Sequence, residues 1–427
     1  MQTAGQGAGR RGAAPAIWVS VALASLILSI TMGIRQTVGL FVHPIIAGTG
    51  MTVVDVSMAL AIGQLLWGVF QPIFGAWADK KSAFAALAVG AVCLAGGQLL
   101  TLWATTPATL ILAQGFLSPA GAAAGSFSVL LGIVAGRLTA DTRSMASGLI
   151  NAGGSIGQFA FAPLVQFVMH LRDYYASLVV LAGAALLTIL PSWVLCRGKE
   201  AAPAIEKGAT AAPPQPDVPL AREGLRDQLR VALRDKSYLL LHGGFFTCGF
   251  HVAFLTTHLP GEVSLCGHSA AVSAASLSLI GLCNIAGSIG AGILGKYYRM
   301  KYILAALYAS RAAMIAVYLL SPKTEMTFYL FAAATGFTWL ATVPPTAGVV
   351  GKLFGMRYLA TLFGLTLFTH QIGAFFGAWL GGVAMQQSGS LLWVWYIDVA
   401  LALFAAVVNL PIKEQPVPRR NPVAGAA

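Results

Sequence analysis

Twelve apolar stretches, each about 20 residues or longer, dominate the chain and restrict its fold more than any other feature. They fall at about 17–44, 53–77, 82–103, 109–136, 145–168, 177–196, 237–259, 270–295, 302–320, 327–350, 357–385 and 392–411. A helix of about 20 residues crosses the hydrocarbon layer of a bilayer, and in lipid only helices and closed barrels satisfy their own backbone. Composition agrees. Hydrophobic residues make up 57% of the 427 positions and charged residues 9%, against about 25% charge in a typical soluble domain. The expected fold is therefore an all-α membrane protein with twelve transmembrane helices and lipid as its surrounding medium. The 48 glycines suit the close helix packing that membranes favour.

The formal net charge of +12 looks at first like a nucleic-acid signal. Its distribution excludes that reading. Of the 26 Lys and Arg, 22 fall in the two terminal segments, the loops after spans 2, 4, 8 and 10, and the central segment 197–236. The opposite side holds only Arg172 and Lys323. Positive charge stays cytoplasmic, so both termini are expected there, in a multi-pass integral membrane protein. Span 1 follows Arg10 and Arg11 but is too long for a cleaved signal segment and lacks a clear cleavage site, so it reads as a retained helix. The five cysteines are an odd number, mostly within or at the ends of spans, and imply no disulfide framework.

Segment 197–236 divides the spans six and six, which gives 1–196 and 237–427 as two six-helix units. Its first part is Pro- and Ala-rich, as in a flexible linker. Its second part repeats Arg222, Arg226, Arg230 and Arg234 beside Leu225, Leu229 and Leu233, an amphipathic helix suited to a membrane surface. The two units also share a sequence offset. Gly33-Ile-Arg35 recurs as Gly249-Phe-His251, Gly75 as Gly292, Gly136-Arg137-Leu138 as Gly351-Lys352-Leu353, and Ile156-Gly157 as Ile372-Gly373, all at 215–217 residues. Such matches indicate an internal repeat.

Over essentially its whole length the chain resembles the major facilitator superfamily. The segment Gly75-Ala-Trp-Ala-Asp79-Lys80-Lys81 is similar to that family's loop 2–3 signature, and Gly292-Ile-Leu-Gly-Lys296 keeps the glycine without the acid. Gly33-Ile-Arg35-Gln36 and residues 248–260 resemble bacterial relatives of monocarboxylate and oxalate:formate carriers. The resemblance implies two pseudo-symmetric six-helix bundles, a substrate site between them, and alternating-access secondary transport. It also implies a monomer in a bacterial-type inner membrane. Gly75, Asp79 and Lys80, with Arg137 and Arg143 nearby, are then expected to form a conformational gate.

Away from the span ends, three formal charges lie inside the spans: Arg35, Arg311 and Asp398. Each is costly in lipid and asks for a partner or a role. The resemblance places spans 1, 4, 7 and 10 around the cavity. Arg35, with Gln36 beside it, is then a candidate anchor for an anionic substrate, because a guanidinium offers a fixed fork of donors and stays charged. Outward snorkelling is the plainer alternative. His251 occupies the repeat-equivalent position, is expected across the same cavity, and could carry a coupling proton. A hydrogen-bonded packing role is its plainer alternative. Gln114, Ser118, Thr247, Thr338, Trp339 and Thr342 are secondary cavity candidates. His370 and Gln371 join them because the oxalate:formate relatives place a basic residue on span 11. Arg311 and Asp398, on supporting spans, are expected to form a buried structural ion pair. Pro344-Pro345 should break or kink span 10.

Spans 1, 4, 7 and 10 contain no Asp or Glu, and span 8 has Asn284 but no acid. Proton-moving monocarboxylate carriers use acidic and basic groups in spans 1 and 8, so this departure leaves exchange and uniport open beside symport. The seven histidines form no short metal spacing, and no nucleotide loop or nucleophile elbow is present. The reading is a non-enzymatic carrier without cofactors, driven by gradients, for a small organic anion such as a monocarboxylate. The alternative is an efflux pump for hydrophobic or cationic compounds.

Overall fold

The structure, a computed structural model, describes residues 8–135, 140–197, 225–355 and 359–417. Twelve long helical segments form the body. We number them α1 (Ile17–Thr49), α2 (Val53–Lys80), α3 (Ala83–Thr101), α4 (Pro107–Val134), α5 (Met145–Leu171) and α6 (Tyr174–Arg197) in the first half. The second half has α7 (Lys236–Leu265), α8 (Ala270–Tyr297), α9 (Met300–Leu320), α10 (Glu325–Phe354), α11 (Leu359–Ser388) and α12 (Leu392–Asn409). All except α11 meet the length and hydropathy of a membrane span among the described residues. Helix α11 is 30 residues long and lies between α7 and α2. The short helix Leu225–Ala232 forms where the Arg/Leu repeat predicts it, with Leu225 and Leu233 exposed.

Polar caps set the helix ends. Thr52 and Asp55 form a reciprocal capping box at the start of α2, Asp173 caps α6, and Asp235 caps α7. Gly50 and Gly267 close α1 and α7 with φ of 71° and 80°, in the left-handed region that favours glycine.

Within each half, the repeat glycines bring two helices into backbone contact. A Cβ on Gly157 of α5 would run into the Ser29 carbonyl of α1, and one on Gly373 of α11 into the Phe246 carbonyl of α7. The shared Ile-Gly pair thus does the same job twice, joining the first and fifth helices of each half.

The halves meet along three seams. Helix α2 lies against α11, with Ala61 packed among Ala253, Ala374 and Ala378. Helix α5 lies against α8, where Ser278 donates to the Phe159 carbonyl at 2.8 Å and the Asn284 amide donates to Ser155 at 2.8 Å. At the end away from the basic loops, Gly39 of α1 abuts the carbonyls of Thr256 and Thr257.

Two helices are locally irregular. Helix α4 carries a π-helical turn over Ile111–Leu117, just before Pro119, which has no N–H to give back to the chain. Helix α10 breaks between Thr338 and Val343. The break sits where Pro344-Pro345 predicts it, because neither proline can donate to the carbonyls of the preceding turn.

Candidate transport site

Each half buries a polar cluster around its repeat position. In the first half it is built around Arg35, whose Nη2 donates to Gln64 Oε1 and whose guanidinium lies over the Trp67 ring at 4.0 Å. Behind it, Gln98 donates to Ser118 at 3.0 Å and Gln114 to Thr101 at 2.8 Å. Arg35, Gln64, Gln98, Gln114 and Ser118 line one pocket, closed elsewhere by apolar residues of α1, α2, α4 and α6. Its free volume is about 40 Å³, room for a few waters but tight for an organic acid. Gln64 occupies one of the five guanidinium N–H donors of Arg35. Among the described residues no carboxylate stands within salt-bridge distance of Arg35. The π-helical turn of α4 is what turns Gln114 toward this pocket. Gln36 is buried but does not line it.

The second cluster differs in chemistry. His251 Nδ1 and Asp398 Oδ2 are 2.7 Å apart, with 1% and 0% exposure. This corrects two expectations. Arg35 and His251 do not share a cavity, because each points into its own half: Arg35 toward α2, His251 toward α12. Arg311 and Asp398 do not pair either. Arg311 donates through Nη2 to the carbonyls of Thr338 and Trp339, the latter at 2.7 Å, and through Nε to Thr338 Oγ1 at 3.3 Å. The break in α10 leaves those carbonyls without helical donors, and a guanidinium fork suits two adjacent acceptors. Asp398 is left to His251.

The remaining second-half candidates surround the same break. Thr342 is 3.2 Å from Cys248 Sγ, and Trp339 is fully buried against the His251 ring. His370 packs tilted against Phe245, ring centroids 5.0 Å apart, and accepts from or donates to the neighbouring Gln371 amide, whose chain fills the space over Gly68 of α2. Thr247 hydrogen-bonds to the carbonyls of Gly243 and Leu401, so its hydroxyl serves helix packing.

At the gate, Gly75 lies within α2 with open space around it and Lys80 is exposed. Arg137 and the side chains of Asp79 and Arg143 lie outside the described residues.

Sequence reasoning passed over Gln64, Trp67 and Gln98, although a buried glutamine in an apolar span is itself a signal. It also gave Asn284 no partner. Asn284 Oδ1 accepts from the Leu340 N–H at 3.0 Å, so this residue ties the α10 break to α5 of the other half. A larger cavity of about 600 Å³ opens between the halves at the end away from the basic loops, lined by His43, His170, His258 and His268 among others.

Comparison with known proteins places this architecture. Monocarboxylate transporter 13 of Bos taurus is 27% identical over 377 residues, covering 87% of this chain and 84% of that protein. The Oxalate:formate antiporter of Oxalobacter formigenes is 23% identical over 391 residues, covering 87% and 86%. The crystal structure of a bacterial homolog of the human lysosomal transporter Spinster superposes with a TM-score of 0.64, at 14% identity, over 93% of this chain and 95% of that one. It shares the fold. The family profile of the Major Facilitator Superfamily matches residues 21–378, and the chain belongs to that family of membrane transporters.

Proposed function

We propose that the chain is a secondary active carrier for a small organic anion such as a monocarboxylate, with Arg35 as the anchor for the substrate carboxylate. The observation that carries this reading is the uncompensated guanidinium. Arg35 lies beside a neutral amide and over an indole, with no carboxylate within salt-bridge distance among the described residues. A permanently charged fork in such a setting gains most from a mobile anion. Gln64 is the group the substrate displaces, and Gln98, Gln114 and Ser118 supply neutral hydrogen bonds behind it. The printed names of the relatives, a monocarboxylate transporter and an oxalate:formate antiporter, support the same substrate class.

The basic loops face the cytoplasm of a bacterial-type inner membrane in this reading, and the protein works as a monomer. The histidine-lined cavity is then the outer vestibule, and Gly75, Asp79, Lys80, Arg137 and Arg143 form the gate on the cytoplasmic side. An efflux pump for cationic compounds would want a free carboxylate at its site. The acid deepest in the second half, Asp398, is instead held by His251.

The test is uptake of radiolabelled pyruvate, lactate, oxalate and formate into proteoliposomes, beside a cationic dye such as ethidium. Saturable uptake of at least one acid, competed by the others, supports the reading. Transport of ethidium alone would refute it.

A further inference from the structure

The second-half cluster contains a pair whose chemistry anion anchoring does not use. Asp398 and His251 are fully enclosed, and each keeps one polar atom unpartnered: Nε2 of His251 and Oδ1 of Asp398. Trp339 of α10 packs against the His251 ring, and one turn earlier on α7 Cys248 is surrounded by Tyr308 and Arg311 of α9, Thr342 of α10 and His370 of α11. Of these only Arg311 is permanently charged. With His251, His370 and Cys248 neutral, the cluster holds one cation, Arg311, and one anion, Asp398. One more proton leaves it with a net positive charge in a site closed to bulk solvent.

An unbalanced charge is costly when dry and far less so when hydrated. The cost of an added charge at this pair would therefore differ between the enclosed cluster and one opened to water on either side of the membrane. A coupling site needs that property, because a ligand shifts a conformational equilibrium only through different affinities for its states. The geometry points to His251–Asp398 as the binding site for one coupling proton per transport cycle. The proton arrives from water on the free His251 Nε2, giving an imidazolium held by the Asp398 carboxylate, and leaves from the same atom to water on the opposite side.

A path of contacts links the pair to the seam between the halves. The His251 ring packs edge-on to Trp339 at 6.1 Å, and the Trp339 carbonyl accepts from Arg311. The next residue, Leu340, donates to Asn284, and Asn284 donates to Ser155 of α5. A second cation close to Arg311 thus acts on the residue that both groups hold, at the break of α10.

This inference rests on the protein being a carrier and not on Arg35. The full chain is reconstituted in liposomes containing a lumenal pH dye and offered pyruvate, oxalate, formate and, separately, ethidium. For the wild type, an exterior one pH unit more acidic should concentrate a transported acid by up to about tenfold, the ratio one pH unit supplies to a one-proton carrier. The dye should report proton entry with the acid. Asp398→Asn should lose both effects while acid-for-acid exchange at equal pH continues, which shows that the variant is folded. The double variant His251→Gln/Asp398→Asn keeps a side-chain hydrogen bond between the positions and should behave the same way if the single variant does not fold. Gradient-driven accumulation that persists in either variant overturns the assignment. So does a wild type whose transported substrate moves no proton. If ethidium is carried and no acid is, the anion reading fails, and the proton site is judged by whether the same variants lose gradient-driven ethidium transport.

Discussion

The two halves share a scaffold and differ in what it encloses. In both, a glycine on the fifth helix meets the backbone of the first, and in both the residue at the Arg35/His251 repeat position turns into its own bundle. The first half surrounds that residue with glutamines and an indole and, among the described residues, pairs it with no carboxylate. The second half gives it a carboxylate and places it beside a broken helix whose freed carbonyls occupy Arg311. The two halves share the packing device, while their buried chemistry differs: a cation held by neutral groups on one side and an acid–base pair on the other.

The comparison is broken most severely at the packing device. Gly157→Val and Gly373→Val each force a side chain into a facing backbone, and overpacking of this kind costs about 3 kcal/mol or more. Both variants should lose the monodisperse peak in fluorescence-detected size exclusion. A tolerated substitution in one half alone would show that the glycines are not equivalent.

Arg311 should separate stability from transport. Arg311→Gln leaves the Thr338 and Trp339 carbonyls short of donors in a buried site, at about 1–3 kcal/mol each. Thermal unfolding in detergent should show a clear drop in Tm for this variant and little change for Arg35→Gln. Equal drops would mean that Arg35 is also a structural cation.

A smaller effect is expected behind the anchor. Gln64→Leu removes the amide proposed to give way to the substrate, and with it a hydrogen bond to a charged group worth about 1.5–3 kcal/mol. Uptake kinetics should show a KM changed by about tenfold or more. An unchanged KM would place the substrate elsewhere.

The smallest effect is at the seam. Ser155→Ala removes one acceptor of the Asn284 bridge, about 1 kcal/mol, and should change the exchange rate several-fold without moving KM. A KM effect without a rate effect would instead make Ser155 a substrate contact.

The membrane fold was legible because apolar length and basic asymmetry are properties of a linear chain. Arg35 was legible for the same reason: a formal charge in an apolar span stands out without knowing its neighbours. The pairings were not. Sequence gives the depth of Asp398 and Arg311 but not the rotation of α12 and α9 about their axes, and that rotation sends Asp398 to a histidine 147 residues away. Pro344-Pro345 announced a break in α10, yet nothing in the chain said that Arg311 would lie against the carbonyls it frees. Gln64 and Gln98 could have been read, since buried amides in apolar helices ask for partners just as charges do.

The central claim is that Arg35 holds the substrate carboxylate, and its most direct test compares initial uptake of a confirmed acid substrate by wild type, Arg35→Lys and Arg35→Gln in proteoliposomes at matched protein content. The account predicts that Lys, which keeps the charge but loses the fork, transports with a KM raised by about tenfold, and that Gln falls to the level of empty liposomes. Wild-type uptake by Arg35→Gln would contradict it.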